Sequence, residues 1–230
     1  MVIYQITGEV RTIEGKDNIT KIKLCGMMRH EDIVYANEAM PDYVGFVFAN
    51  TRRRITRQQA KEFKQALHKD IKAVGVFVDA DVQYVGELLR DGIIDIAQLH
   101  GHENQDYIEI LKDMSDKPVF KAVKVTNSSD IENAARLPVE YLLLDTYKKG
   151  VLGGTGERFD WDIIETVRDR DKGSIGGKPF FLAGGLTLDN ICEAQKVGAY
   201  GLDISSGIEK DGCKDREKML VVVDKLRRRK

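Results

Sequence analysis

Residues 43–78, YVGFVFANTRRRITRQQAKEFKQALHKDIKAVGVFV, form the stretch that decides the fold. Two short runs rich in Val and Phe, YVGFVF (43–48) and KAVGVFV (72–78), are typical of buried parallel strands. The residues between them, RQQAKEFKQALHK (57–69), have the apolar spacing of an amphipathic helix. This stretch therefore predicts a strand, a helix and a second strand that runs parallel to the first.

The same alternation continues along the chain after residue 20. Eight apolar runs predict eight strands: KIKLC (21–25), YVGFVF (43–48), KAVGVFV (72–78), DIAQL (95–99), PVFKAV (118–123), YLLLD (141–145), PFFLA (179–183) and GLDIS (201–205). Eight stretches with helical spacing follow them, at residues 30–40, 57–69, 81–92, 104–114, 127–137, 159–171, 187–198 and 215–229. Eight units with no break in composition predict a single α/β domain, a (β/α)8 or TIM barrel, over residues 21–230. A doubly wound open sheet is the competing fold, but no GxGxxG turn follows the first strand.

Residues 1–20, MVIYQITGEVRTIEGKDNIT, precede the first barrel strand. They show a strand-like alternation, a turn and a short polar return, which predicts a hairpin-like extension outside the barrel domain. The segment has no basic start and carries acids and glycines, so it lacks the pattern of a secretory signal.

Composition excludes several classes of protein. The formal net charge of −1 gives no global field that would attract nucleic acid or an acidic membrane, so we expect neither as a partner. The sequence has no apolar run of 18 residues, and no membrane span is expected. The cysteines Cys25, Cys192 and Cys213 are odd in number and lack CxxC spacing, which predicts neither a disulfide framework nor a zinc site. A reducing compartment, the cytoplasm, is the expected location.

Catalytic groups of a (β/α)8 barrel lie at the carboxyl ends of the strands or in the loops just after them. Cys25 ends the first predicted strand and Asp145 ends the sixth. Asp145 is a candidate general acid, because burial raises a carboxyl pKa toward the operating range, but a helix cap or an ion pair with a following lysine explains it equally well. Cys25 is either a small buried core residue or a thiol activated by nearby positive charge.

The loops after the seventh and eighth strands predict a phosphate site. Gly184 and Gly185 lie directly between a strand and a helix, where glycine allows close approach and a helix N-terminus favours anions. The matching loop after the eighth strand offers hydroxyls and amides from Ser205, Ser206 and Gly207. Tight turns with helix capping are the structural alternative, but two such loops at neighbouring barrel positions favour phosphate.

Three further features follow other strands. The loop after the second strand contains Arg52, Arg53 and Arg54, and an arginine suits a carboxylate ligand because its planar fork pairs with both oxygens. His100 ends the fourth strand within QLHG and is either a substrate-facing group or a core-edge histidine bonded to backbone. The glycine-rich loop GVLGGTGERFDW (150–161) predicts a flexible lid or a close-approach turn.

The motifs at these strand ends occur together in one known family. They are KLCGMMR with the following ED, DYVGFVF, RRRIT, QLHG, LLLDTYKKGVLGGTGERFDW, FLAGGL and DISSGIE. In this order, and over about residues 21 to 228, the sequence resembles phosphoribosylanthranilate isomerase of tryptophan biosynthesis.

The resemblance implies an Amadori rearrangement of N-(5-phosphoribosyl)anthranilate to 1-(2-carboxyphenylamino)-1-deoxy-ribulose 5-phosphate. It implies Cys25 as the general base and Asp145 as the general acid. It implies Arg53 as the partner of the anthranilate carboxylate, with Arg52 selected by a shift of one residue in the loop. No metal or other cofactor is expected, and both a homodimer and a monomer are compatible with the sequence. The other substrate-binding positions that we expect are His100, Gly184, Gly185, Asp203 (as a residue that organises the phosphate loop), Ser205, Ser206 and Gly207.

Two departures from the family and two alternative functions stay open. The family's usual chain starts close to its first strand, whereas residues 1–20 precede it here, and Met28 stands where the family commonly has a hydroxyl. Another phosphosugar aldose–ketose isomerase is one alternative, although that family is expected to show an aspartate at the position of Cys25 and two similar half-barrels. A non-catalytic phosphosugar-binding barrel is the other, although binding alone requires no acid and base.

Overall fold

The structure is a computed structural model and describes residues 3–6, 9–12, 20–145, 161–168 and 174–228. Its strands are β1 (Ile3–Ile6), β2 (Glu9–Thr12), β3 (Lys21–Cys25), β4 (Tyr43–Val47), β5 (Lys72–Phe77), β6 (Ile96–Leu99), β7 (Val119–Lys124), β8 (Tyr141–Asp145), β9 (Ser174–Ile175), β10 (Lys178–Ala183), β11 (Gly201–Ile204), β12 (Glu209–Lys210) and β13 (Cys213–Lys214). Eight of them form one parallel ring in the order β3, β4, β5, β6, β7, β8, β10, β11, and β11 closes the ring by pairing with β3. The predicted (β/α)8 barrel is confirmed.

Eight helices follow the barrel strands within the described residues. They are α1 (His30–Ala39), α2 (Arg57–Ala66), α3 (Val82–Arg90), α4 (Gln105–Met114), α5 (Ser128–Ala135), α6 (Asp162–Val167), α7 (Ile191–Lys196) and α8 (Arg216–Arg227). Side chains cap several N-termini; Thr56 accepts from the backbone N–H of Gln59, and Asp81 accepts from two N–H groups of α3. These two caps fix where the loops before α2 and α3 end.

Alternate side chains of the barrel strands point inward, because successive residues of a strand face opposite sides of the sheet. Aromatic rings fill the middle of the barrel: Phe181 lies 5.5 Å from Tyr43 and 5.0 Å from Phe120, measured between ring centroids. A smaller inward cluster of Cys25, Val47 and Val76 lies above them, toward the carboxyl ends of the strands. The packed interior therefore leaves the mouth of the barrel as the place for a site.

The remaining strands lie outside the ring. β1 and β2 pair as an antiparallel two-stranded sheet of their own, while the division of the chain at residue 20 stays a prediction. β9 pairs antiparallel with the start of β10, and β12 with β13. Residues 146–160, which include nearly all of the predicted glycine-rich lid, lie outside the described residues. Within the described part of the chain, no helix has the length and apolarity needed to cross a bilayer.

Candidate active site

Cys25 ends β3 and lies on its inward face, with only 8% of its surface exposed. Its strand neighbour is Gly45 of β4, and a Cβ built on that glycine would lie 2.5 Å from Sγ of Cys25. The sulfur therefore occupies the space that a side chain at position 45 would need. The hydroxyl of Ser205 donates to the carbonyl oxygen of Cys25 at 3.2 Å and joins this strand end to the loop after β11.

A Gly45→Ala substitution is expected to displace the sulfur, because a gap of 2.5 Å is too small for two carbon- or sulfur-sized atoms. We expect turnover to fall by about 10-fold or more, since a misplacement of about 1 Å at a reacting group is costly. Steady-state kinetics and thermal unfolding measure the two effects. Ala73→Gly, on the adjacent strand β5 but away from the sulfur, is the matched control, and equal turnover of Gly45→Ala and wild type would contradict the expectation.

Two charged side chains lie inside the barrel next to Cys25. Lys23 is fully buried, and its Nζ donates to Oδ2 of Asp203 at 2.8 Å. Lys23 and Asp203 are register partners on β3 and β11. Burial raises the pKa of the Cys25 thiol, and the charge of Asp203 adds to this, whereas the charges of Lys23 and Lys214 oppose it. The net direction of the pKa shift is upward, because burial outweighs the two lysine charges.

The arginine loop after β4 reaches the mouth beside Cys25. Gly26 has φ +89°, and a Cβ built there would lie 2.5 Å from Cδ of Arg53, so the arginine crosses directly over this glycine. Nε of Arg53 donates to Oε1 of Glu209 at 2.7 Å, and Nη2 donates to Oε2 at 3.2 Å. Arg52 is half exposed and bonds the same carboxylate and the carbonyl of Gly212. Arg53, rather than Arg52, therefore lies against the strand end that carries the cysteine.

Glu209 is paired with three cationic side chains, those of Arg52, Arg53 and Lys214. Nζ of Lys214 donates to Oε1 of Glu209 and to the carbonyl of Ser205, both at 2.9 Å. Burial works against ionisation of Glu209, but the hydrogen bonds from Arg53 and Lys214 outweigh it and lower its pKa to about 2. Three cations around one carboxylate leave an excess of positive charge, which suits an anionic ligand at this side of the mouth.

The two predicted phosphate loops lie against each other. A Cβ built on Gly207 would collide with the carbonyl oxygen of Leu186, so the loops after β10 and β11 are in direct contact. Ser206 begins a short 3-10 helix (Ser206–Ile208), and Gly184 and Gly185 have φ of +94° and +64°. Backbones of this kind present N–H groups to an anion. The two loops that the sequence indicated separately as a phosphate site therefore lie side by side at the mouth of the barrel.

Asp145 ends β8 on the inward face and is half-buried. Nε2 of His100, at the end of β6, lies 3.5 Å from Oδ2 of Asp145. In the ring, β8 is separated from β3 by β10 and β11, so the carboxyl group and the thiol flank the mouth from different sides. A carboxyl group and a thiol that flank one barrel mouth are groups that can exchange protons with a ligand bound between them. In the described part of the chain, no group of three His, Cys, Asp or Glu side chains is arranged to hold a metal ion.

Comparison with known proteins identifies the chain. The family model described as N-(5'phosphoribosyl)anthranilate (PRA) isomerase matches residues 22–225. The chain belongs to the N-(5'-phosphoribosyl)anthranilate isomerase family. The enzyme of this name from Endomicrobium trichonymphae is 43% identical over 208 residues, which are 90% of this chain and 98% of the relative.

Solved structures of the isomerase family have the same fold. A phosphoribosyl anthranilate isomerase in complex with reduced 1-(o-carboxyphenylamino)-1-deoxyribulose 5-phosphate matches with a TM-score of 0.74 and 28% identity, over 89% of this chain and 97% of that one. A structure of monomers generated from the dimeric isomerase of Thermotoga maritima matches with a TM-score of 0.74 and 29% identity, over 90% and 98% of the two chains. The family resemblance predicted from the sequence is confirmed, and the chain is an isomerase of tryptophan biosynthesis.

Within this isomerase, two predicted site residues have ionic partners that the sequence did not indicate. Asp203 is paired with Lys23 inside the barrel. The side chain of His100 lies against Asp145 at the mouth of the barrel. The substrate-binding roles of both residues stay predictions.

Sequence reasoning did not single out three charged residues that lie close to Cys25 and Arg53: Lys23, Glu209 and Lys214. For Lys23 a signal was present in KIKLC, because a lysine two positions before the cysteine shares its inward face. Glu209 ends the DISSGIE motif, but its arginine partners lie more than 150 residues away in sequence, at positions 52 and 53.

Proposed function

We propose that this protein converts N-(5-phosphoribosyl)anthranilate into 1-(2-carboxyphenylamino)-1-deoxy-ribulose 5-phosphate by general acid–base catalysis. The observation that carries the proposal is the presence of Cys25 and Asp145 on the inward face of one barrel mouth, in a chain of this family. The reaction is an Amadori rearrangement, in which an aldose amine becomes a ketose amine.

Asp145 is the proposed general acid. A proton from its carboxyl group to the furanose ring oxygen breaks the C1–O bond and opens the ring to a Schiff base. The cationic imine makes the hydrogen on C2 of the sugar more acidic. Cys25, as thiolate, then removes this proton, and the electron pair of the C–H bond forms an enolamine, which tautomerises to the ketone.

The two anionic ends of the substrate have separate proposed sites. Arg53 pairs with the anthranilate carboxylate. Glu209 accepts from Nε and Nη2 of Arg53 and orients the guanidinium group, and the cations around Glu209 keep a net positive charge that attracts the substrate carboxylate. The backbone of Gly184, Gly185 and Gly207, with the hydroxyls of Ser205 and Ser206, surrounds the phosphate. Fixing both ends aligns C2 of the sugar between the thiol and the carboxyl group.

The same proposal covers location and assembly. The three free cysteines, Cys25, Cys192 and Cys213, agree with a reducing compartment, and we propose the cytoplasm. A homodimer is proposed by analogy with the dimeric isomerase of the T. maritima structure. Sedimentation equilibrium of the purified chain tests the second point.

The decisive experiment mixes the protein with freshly made N-(5-phosphoribosyl)anthranilate and follows the loss of anthranilate-type fluorescence. Turnover well above the spontaneous breakdown of the substrate, with the ketose product identified by mass spectrometry and NMR, supports the proposal. Tight binding of a reduced product analogue without turnover would instead indicate a non-catalytic phosphosugar-binding barrel.

An Arg53→Ala substitution is expected to raise KM by about 10–100-fold, the cost of a hydrogen-bonded pair with a charged group of about 1.5–3 kcal/mol. The fold should persist, because Glu209 keeps its contacts with Arg52 and Lys214. Arg52→Ala is the matched control, and as a half-exposed ion pair it should change KM by no more than about fivefold. A larger rise of KM in Arg52→Ala than in Arg53→Ala would indicate that Arg52 binds the anthranilate carboxylate.

A further inference from the structure

The ion pair beneath the proposed base is unusually sparse in hydrogen bonds. Lys23 has no exposed surface, and Asp203 is buried beside it. Oδ2 of Asp203 accepts from Nζ of Lys23 at 2.8 Å, whereas Oδ1 is buried and has no hydrogen-bond partner among the described residues. Two charges removed from water cost several kcal/mol each, and good geometry with further hydrogen bonds is needed to offset this. This pair has one such bond, so stability alone is a poor explanation for it.

A second buried lysine in the barrel shows what a structural pair looks like. Nζ of Lys121 on β7 donates to Oε2 of Glu103 at 2.7 Å and to the carbonyl of Gly101 at 2.7 Å. Glu103 also accepts from the backbone N–H groups of Gly101 and Asp79, both at 2.9 Å. Both of its oxygens are therefore satisfied, and the pair ties strand β7 to the loops after β5 and β6. Lys23 instead shares the inward face of β3 with Cys25, two positions along the strand.

We propose that Lys23 is the positioning residue of the base: its ammonium group, anchored by Asp203, stabilises the thiolate that Cys25 must form for proton abstraction and offsets part of the cost of burying it. Lys23 and Cys25 share the inward face of β3, and the lysine charge acts directly on the sulfur. This inference rests on the proposed function, in which Cys25 removes the C2 proton. In that step the C2–H bond breaks, an S–H bond forms, and the pair of electrons enters the imine.

The charges around Cys25 show why the lysine is needed. Lys23 lies on its own strand, Asp203 on β11, Lys214 on β13, and Arg53 crosses from the loop after β4. Burial and Asp203 disfavour the thiolate, and Lys23 is the largest electrostatic influence in its favour. Asp203 thus has two opposed effects: it keeps Lys23 charged and in place, and it repels the thiolate.

The test measures the ionisation of Cys25 without substrate. Alkylation of Cys25 by iodoacetamide is followed across pH by peptide mass spectrometry. Each rate is divided by the maximal rate of the same variant at high pH, so that the midpoint pH does not depend on how easily the reagent reaches the sulfur. In Lys23→Met we expect the midpoint to rise by about 1–3 pH units, the scale of a neighbouring opposite charge. The pH at which kcat/KM rises should move by the same amount. Lys121→Met is the matched control, with the midpoint of wild type.

A midpoint that stays unchanged or falls in Lys23→Met would overturn the inference. Because an unpaired Asp203 can impair folding, Asp203→Asn and Lys23→Met/Asp203→Asn are measured as well. Asp203→Asn keeps an oxygen that can accept from Nζ of Lys23 and removes the charge that repels the thiolate, so it should lower the midpoint, and the double variant should lie between the two single variants. A rise of the midpoint in Asp203→Asn would also overturn the inference. If Cys25→Ala retains turnover while the midpoints shift as expected, the proposed base is wrong and the effect of Lys23 on the thiol stands.

Discussion

Replacement of Cys25 by alanine is expected to lower kcat by about 10²–10⁴-fold, the usual contribution of a positioned general base. The substitution removes one buried sulfur and leaves Lys23, Asp203 and the backbone contact with Ser205 in place. The fold should therefore persist, and KM should change little, because the anionic ends of the substrate are held by other residues. Cys25→Ser is a second informative variant, since a hydroxyl keeps the shape but is a far weaker acid than a thiol.

Cys192→Ala is the matched control for this prediction. Cys192 is exposed in the first turn of α7, and its replacement should leave kcat unchanged. Circular dichroism and thermal unfolding check that each variant is folded. A Cys25→Ala protein with the kcat of wild type would remove Cys25 from the mechanism, and the search for a base would move to the other groups at the mouth.

The barrel could be predicted because each strand carries its own local signal. The run 43–48 became β4 (Tyr43–Val47), and YLLLD (141–145) became β8 without any change of bounds. Helix ends were less accurate; the stretch 57–69 became α2 (Arg57–Ala66), because Leu67 has an extended backbone at φ −74° and ψ 137°. Strand existence depends on short apolar runs, while helix ends depend on a few dihedral angles that many sequences can adopt.

The strand-end residues could also be predicted, since the barrel rule places them at one mouth. The charged partners of these residues could not be predicted. Lys23 meets Asp203 only because β11 closes the ring on β3 in a register that pairs these two positions. Glu209 meets Arg53 across 156 residues, through two loops whose conformations no local pattern specifies. Ion pairs of this kind depend on closure and register, and neither is encoded within a short stretch of sequence.

Replacement of Asp145 by asparagine is expected to lower kcat by about 10²–10⁴-fold, because an amide of the same shape has no proton to give to the furanose oxygen. Nε2 of His100 lies 3.5 Å from Oδ2 of this carboxyl group. A substrate analogue that is already ring-opened separates ring opening from the later proton transfers. Asp145→Asn should process this analogue at close to the wild-type rate.

Asp113→Asn, an exposed carboxylate on α4, is the matched control for Asp145→Asn and should keep the wild-type kcat. Equal kcat for Asp145→Asn and wild type on the natural substrate would show that the acid is another group, and His100→Asn would then be the next variant to measure. Loss of turnover with both the closed and the ring-opened substrate would give Asp145 a role after ring opening, in the tautomerisation of the enolamine. The ring-opened substrate thus distinguishes a proton donor to the furanose oxygen from a group that acts only later in the reaction.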